Sequence, residues 1–172
     1  MRGEGKWRCF LGVAVLAAAA DLASKHFVFE RVRNEPTDCV EVWPGRFELL
    51  ARINTAGIWS VGNGSVHSNT LLAALSAAAV VMMVGWAWRV AAKESWVFAV
   101  VLGGLAGGAA GNLHDRLRFG GVRDFLQVYL LNGYAYPTFN LADCFLVVGA
   151  ATMFLFLWRT DRPAVAAPAA SA

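Results

Sequence analysis

A membrane all-α bundle of four transmembrane helices, carrying a small extracytoplasmic β element in its first outer loop, is the fold class this sequence predicts. Hydrophobic residues make up 58% of the 172-residue chain and charged residues only 16%, where soluble domains carry about 25% charged. Mean hydropathy is +0.49, too apolar for a small soluble domain to hide. Four separate stretches each approach the roughly 20 apolar residues needed to cross a hydrocarbon core. Short β-rich runs fall between the first two of them.

The spans are expected at residues 7–29, 70–90, 96–113 and 139–158. Asp21 and Lys25 interrupt the first and Asp143 the fourth. A tight hairpin at 91–95 joins spans 2 and 3. Outer loops at 30–69 and 114–138 therefore share the opposite face. In the first loop, 40–42 and 47–53 are the candidate strands, punctuated by Pro36, Pro44 and Gly45. Residues 1–159 form one domain, and the Ala/Pro-rich 160–172 reads as a disordered cytoplasmic tail. Arg2, Lys6 and Arg8 before an apolar run also resemble a cleavable signal peptide. The run continues through Leu22 to Phe29, beyond a typical h-region, which favours a retained span.

Orientation follows from charge density. Each face collects seven basic residues, but those on the hairpin side sit in much shorter segments, close to span ends, which is what the positive-inside rule weighs. Both termini are expected in the cytoplasm. The intramembrane polar residues then gather at the outer face: Asp21 and Lys25 in the outer half of span 1, Asn112 closing span 3 with Arg116 one turn on, and Asn140 and Asp143 opening span 4. Asn54 and Asp124 lie in the two loops on that side. Ionisable groups at membrane depth are costly and mark function.

Other classes are excluded more easily. A net charge of +3 with scattered arginines lacks the clustered basic surface that nucleic-acid binding needs. Cys9, Cys39 and Cys144, like His26, His67 and His114, show no ligand spacing, so neither metal nor other cofactor is expected. A proton-coupled transporter would distribute polar residues through the bilayer depth, whereas spans 2 and 3 are nearly empty of them away from their outer ends.

Asp21 and Lys25, four apart, share a helix face and can pair, either as a bridge that only neutralises two costly charges or as one that also positions a neighbouring group. A structural or supporting role is favoured over direct catalysis. Asn140 suits a helix N-cap, leaving Asp143 a turn inside the apolar run and free for other work. Asp124 follows a Gly120-Gly121 turn and reads equally well as a solvated loop carboxylate paired with Arg123 or Arg116. Two carboxylates held close cannot both ionise at neutral pH, which makes one acid and one base. Such a pair can activate water and protonate a leaving amine, the chemistry of peptide hydrolysis without a covalent intermediate.

Four blocks, in order, resemble the lipoprotein signal peptidase (signal peptidase II) family of bacterial aspartyl peptidases. They are DLASK at 21–25, NTAGIWS at 54–60, GGAAGNLHDR at 107–116 running on through GVRDF at 121–125, and FNLAD at 139–143. The resemblance implies that Asp124 and Asp143 are the catalytic dyad. It implies that Asn54, Asn112, Arg116 and Asn140 line the site, with Asp21 and Lys25 supporting it. It further implies a monomeric multi-pass enzyme of the bacterial inner membrane, in contact with membrane lipid and with its site near the extracytoplasmic face. The family removes the signal peptide of a prolipoprotein just before its diacylglyceryl-modified cysteine, which acyl chains hold at that face. An inactive scaffold that binds lipoproteins is the alternative, disfavoured because both aspartates and all flanking asparagines are present.

Two departures stand out. Ala56 and Gly57 are swapped relative to the family's usual Asn-x-Gly order, with Ile58 and Trp59 after them. Arg123 stands where an apolar residue is common, adding charge beside the dyad. Both bear on substrate preference and inhibitor fit rather than on reaction type. The run from Gly103 to Gly111 is rich in small residues and predicts close helix packing, with a substrate groove beside it as the functional extension.

Overall fold

A computed structural model describes residues 2–55, 66–90 and 93–160. Its helices are α1 (Arg2–Val32), α2 (Val66–Val90), α3 (Trp96–Phe119) and α4 (Leu141–Thr160), with strands β1 (Cys39–Trp43), β2 (Phe47–Asn54) and β3 (Val122–Val128). All four helices are long and apolar enough to cross a membrane. Residues 56–60, including Trp59 and the swapped Ala56 and Gly57, lie outside the described residues, as does nearly all of the 160–172 tail.

Helix α3 is the axis of the bundle. In its most apolar window 56% of residues are buried, against at most 17% in the other three, so those helices present most of their surface to lipid. It packs against α1, α4 and α2. The glycines explain how. A Cβ on Gly103 would sit 2.7 Å from the Phe10 carbonyl oxygen, and one on Gly107 would collide with the Ala14 carbonyl. Gly108, on the other flank, would meet the Ala142 carbonyl of α4 at 2.8 Å. Backbones this close gain packing that lipid cannot supply.

The two ends of the bundle differ in chemistry. Near the α2–α3 hairpin the core is Phe10, Ala87, Phe98, Ala99, Leu102, Ala106 and Met153. Ser95 caps α3 there, accepting from the Phe98 N–H at 3.1 Å. At the opposite end polar groups are buried as deeply as apolar ones: Asp21, Lys25, Asp115 and Asn140 are fully buried, alongside Val32 and Ala142. This one-ended distribution is the opposite of a relay through the membrane.

Helix α3 runs six residues past the 113 boundary expected from hydropathy. Asp115 is polar yet fully buried, and its carboxylate is satisfied by Lys25 and Arg123, so a polarity-based boundary stops too early. Gly120 ends the helix in the left-handed conformation (φ 71°). Both candidate strands of the first outer loop form, as an antiparallel hairpin. The sheet is completed by β3 from the second outer loop, in the order β1-β2-β3, so the β element draws on both loops rather than the first alone.

Candidate active site

The glycine pair sets the start of β3. After Gly120 turns the chain, Gly121 lets β3 press against β2, since a Cβ there would lie 2.9 Å from the Asn54 carbonyl oxygen. Antiparallel register then pairs Asn54 with Val122 and Arg52 with Asp124. Asn54 donates its amide to Asp124 Oδ2 at 3.0 Å. On the other edge of β3, Phe139 pairs with Leu126 through backbone bonds of 2.9 and 3.1 Å. That bridge delivers the next residue, Asn140, to Asp124 and to the start of α4 at once.

Asn140 links the two aspartates. Its side-chain amide donates to Asp124 Oδ1 at 2.7 Å. Its side-chain oxygen caps α4 by accepting from the Asp143 N–H at 3.0 Å, and its own N–H donates to Asp143 Oδ2 at 3.2 Å. This is a reciprocal capping box with Asn at the cap and Asp three residues on. Asp143 is thus not free of the cap, as the spacing suggested. One of its oxygens closes the box and the other, Oδ1, accepts from the Asn112 amide at 2.9 Å.

Behind Asn112 lies Lys25, whose ammonium donates to Asp21 Oδ2 at 2.7 Å and Asn112 Oδ1 at 2.9 Å and forms an ion pair with Asp115 Oδ2 at 3.3 Å. The second oxygen of Asp21 accepts the Ala142 N–H at 2.9 Å, so α1 caps α4 across the bundle. Lys25 fixes the orientation of the Asn112 amide, and Asn112 in turn fixes one oxygen of Asp143. No buried side-chain polar atom among the described residues lacks a partner.

Asp124 is 2% exposed. Burial pushes its carboxyl up to about 6, and nearby Asp143 pushes the same way; the Asn54 and Asn140 amides and Lys25 oppose the rise. A carboxyl poised near neutrality is suited to moving protons. Arg116 forms no ion pair with an aspartate among the described residues. Its guanidinium reaches Ser76 Oγ and its own helix's Asn112 carbonyl at 3.5 Å each.

The structure therefore joins Asp21, Lys25, Asn112, Asp143, Asn140, Asp124 and Asn54 in one continuous hydrogen-bonded chain, with Arg116 at its side. Arg123 does not pair with Asp124, because adjacent strand residues point to opposite faces. It grips Asp115 instead, at 2.8 Å. Sequence reasoning passed over Asp115, and the signal that would have found it is its position three residues after Asn112, on the same helix face. Asn69 was also missed: it donates to the Arg116 carbonyl at 3.2 Å and so ties α2 to the end of α3.

Comparison with known proteins agrees in family and in fold. Residues 13–159 match the model of signal peptidase II. The chain belongs to that family. A lipoprotein signal peptidase of Solibacter usitatus is 34% identical over 164 residues, covering 92% of this chain and 95% of the relative. Another, of Ectopseudomonas mendocina, is 33% identical over 156 residues and 90% of each chain. Two solved structures of a bacterial membrane enzyme share the fold. One has a TM-score of 0.71 at 24% identity and covers 87% of each chain; the other has 0.70 at 23% identity and covers 89% of this chain and 94% of its own. This signal peptidase II homologue is a multi-pass membrane protein and a protease of the aspartic class, and its family acts in removing signal peptides from prolipoproteins.

Proposed function

We propose that Asp124 and Asp143 act together as the catalytic dyad, cleaving a prolipoprotein immediately before its diacylglyceryl-modified cysteine. The observation that carries this reading is Asn140, which hydrogen-bonds both aspartates and holds them to one geometry. In this reading the pair shares one proton because like charges held close resist a second ionisation, and burial, which raises the Asp124 carboxyl to about 6, acts in the same direction. The ionised carboxylate takes a proton from water as the water oxygen bonds to the scissile carbonyl carbon. The protonated partner then supplies a proton to the departing amine as the C–N bond breaks. The products are a signal peptide with a new carboxylate and a lipoprotein with a free amine on its lipidated cysteine.

The site's position supports a location at the extracytoplasmic end of an inner-membrane protein, with both termini cytoplasmic. A diacylglyceryl cysteine would present its scissile bond at that level while its chains stay in the leaflet. The test is cleavage of a lipidated lipobox peptide by purified protein in detergent. Asp124→Asn and Asp143→Asn should each abolish cleavage while the variants remain folded in the membrane. Full activity in either would remove that aspartate from the dyad.

A further inference from the structure

Behind the aspartate pair sits a buried cluster of two cations and two anions: Lys25, Arg123, Asp21 and Asp115. All but Arg123 are fully buried, and Arg123 is 8% exposed. Asp115 is faced by Arg123, by Lys25 and, at 3.5 Å from Oδ1, by the half-exposed ring of His114. Arg123 gives its backbone N–H at 3.0 Å to Oδ2, Nε at 3.1 and 3.3 Å to the two oxygens, and its terminal NH2 group at 2.8 Å to Oδ1. Lys25 adds 3.3 Å to Oδ2, a longer approach than its 2.7 Å to Asp21 or 2.9 Å to Asn112. The guanidinium also lies 4.4 Å from the ring centroid of Phe119 and 5.9 Å from that of Phe29.

The arrangement has a consequence for Lys25. An ammonium has three donors, and here one is spent on Asn112, the residue that hydrogen-bonds Asp143. A buried carboxylate without its own cation pulls hard on any cation beside it. Without Arg123, Lys25 would be the one fully buried cation left beside Asp115 among the described residues, and the neutral Asn112 oxygen would be the weakest competitor for that ammonium. We propose that Arg123 is a positioning residue for the reaction: by neutralising Asp115 it reserves Lys25 for Asn112 and so holds the Asn112 amide on Asp143. Arg123 touches neither aspartate of the pair and acts through Asp115, Lys25 and Asn112.

The proposal rests on the peptidase reading above, and wild-type cleavage in the same assay keeps the two separable. Three variants test it: Arg123→Lys, Arg123→Gln, and the double variant Asp115→Asn with Arg123→Gln. Charge balance is kept in the first, lost in the second and restored in the third. With a lipidated lipobox peptide, Arg123→Gln should lower kcat about tenfold or more with KM little changed, the pattern of a lost transition-state interaction. Arg123→Lys should keep most of the turnover, and the double variant should recover most of what Arg123→Gln lost.

A role limited to fastening β3 to α3 gives the reverse order, because the double variant strips more charged contacts than the single one. Wild-type kcat in Arg123→Gln, or a double variant no better than it, overturns the proposal. If Arg123→Gln fails to accumulate, recovery of folded and active protein on adding Asp115→Asn supports it, and failure to recover overturns it. Thermal unfolding in detergent should follow the same order, which tests the charge balance even if wild-type protein were to leave the peptide uncut.

Discussion

Replacing Asn140 with aspartate separates the two duties of that side chain. Asp and Asn serve about equally as N-caps, so the oxygen accepting the Asp143 N–H at 3.0 Å persists in Asn140→Asp. The donor to Asp124 Oδ1 at 2.7 Å does not. A hydrogen bond to a charged group contributes about 1.5–3 kcal/mol, so its loss alone predicts roughly a ten- to hundred-fold drop in cleavage at neutral pH. The new carboxyl also faces two others, and like charges oppose its ionisation. At lower pH it regains a proton, can again donate to Asp124, and part of the activity should return. The assay is the rate of lipidated peptide cleavage between about pH 5 and about pH 8 for wild type, Asn140→Asp and Asn140→Ala. Asn140→Ala loses the cap as well, at a cost of about 1 kcal/mol, and should show no recovery in acid. A profile for Asn140→Asp that parallels wild type within about twofold would refute the bridging role.

Three further outcomes follow from the same structure. Because the folded Asp124 carboxyl is raised from 3.8 to about 6, the folded state holds its proton longer than the unfolded chain. Stability from this group is therefore present below about pH 4 and lost as pH rises through about 6, by at most roughly 3 kcal/mol. Thermal unfolding of Asp124→Asn in detergent should lack that decline, and Asn54→Ala, which removes an opposing donor, should move the acid limb of the cleavage profile upward. Gly111→Ala would drive a methyl into the Asp21 carboxylate, costing about 1–3 kcal/mol by overpacking and lowering cleavage. Gly104→Ala, with nothing within 4 Å of its Cβ, is the tolerated control, and equal behaviour of the two in unfolding and cleavage would break the argument.

The chain's local character determined its solvent and its spans, because hydropathy over about 20 residues is a property of contiguous sequence. It also made Asp143 conspicuous, as a carboxyl inside an apolar run, and put Asp21 and Lys25 on one helix face. Even the family could be read from four short blocks. Asp124 was different: on physical grounds it looked like any loop carboxylate, because its burial comes from partners distant in sequence. Its two amide donors depend on β2 pairing with β3 and on Phe139 pairing with Leu126. Arg123 was read as charge beside the dyad, yet strand alternation turned it onto Asp115, a residue whose own importance appears only when α3 continues past the hydropathy boundary. Local patterns set which segments enter the membrane; which polar group meets which is decided by register and helix packing, and those are long-range.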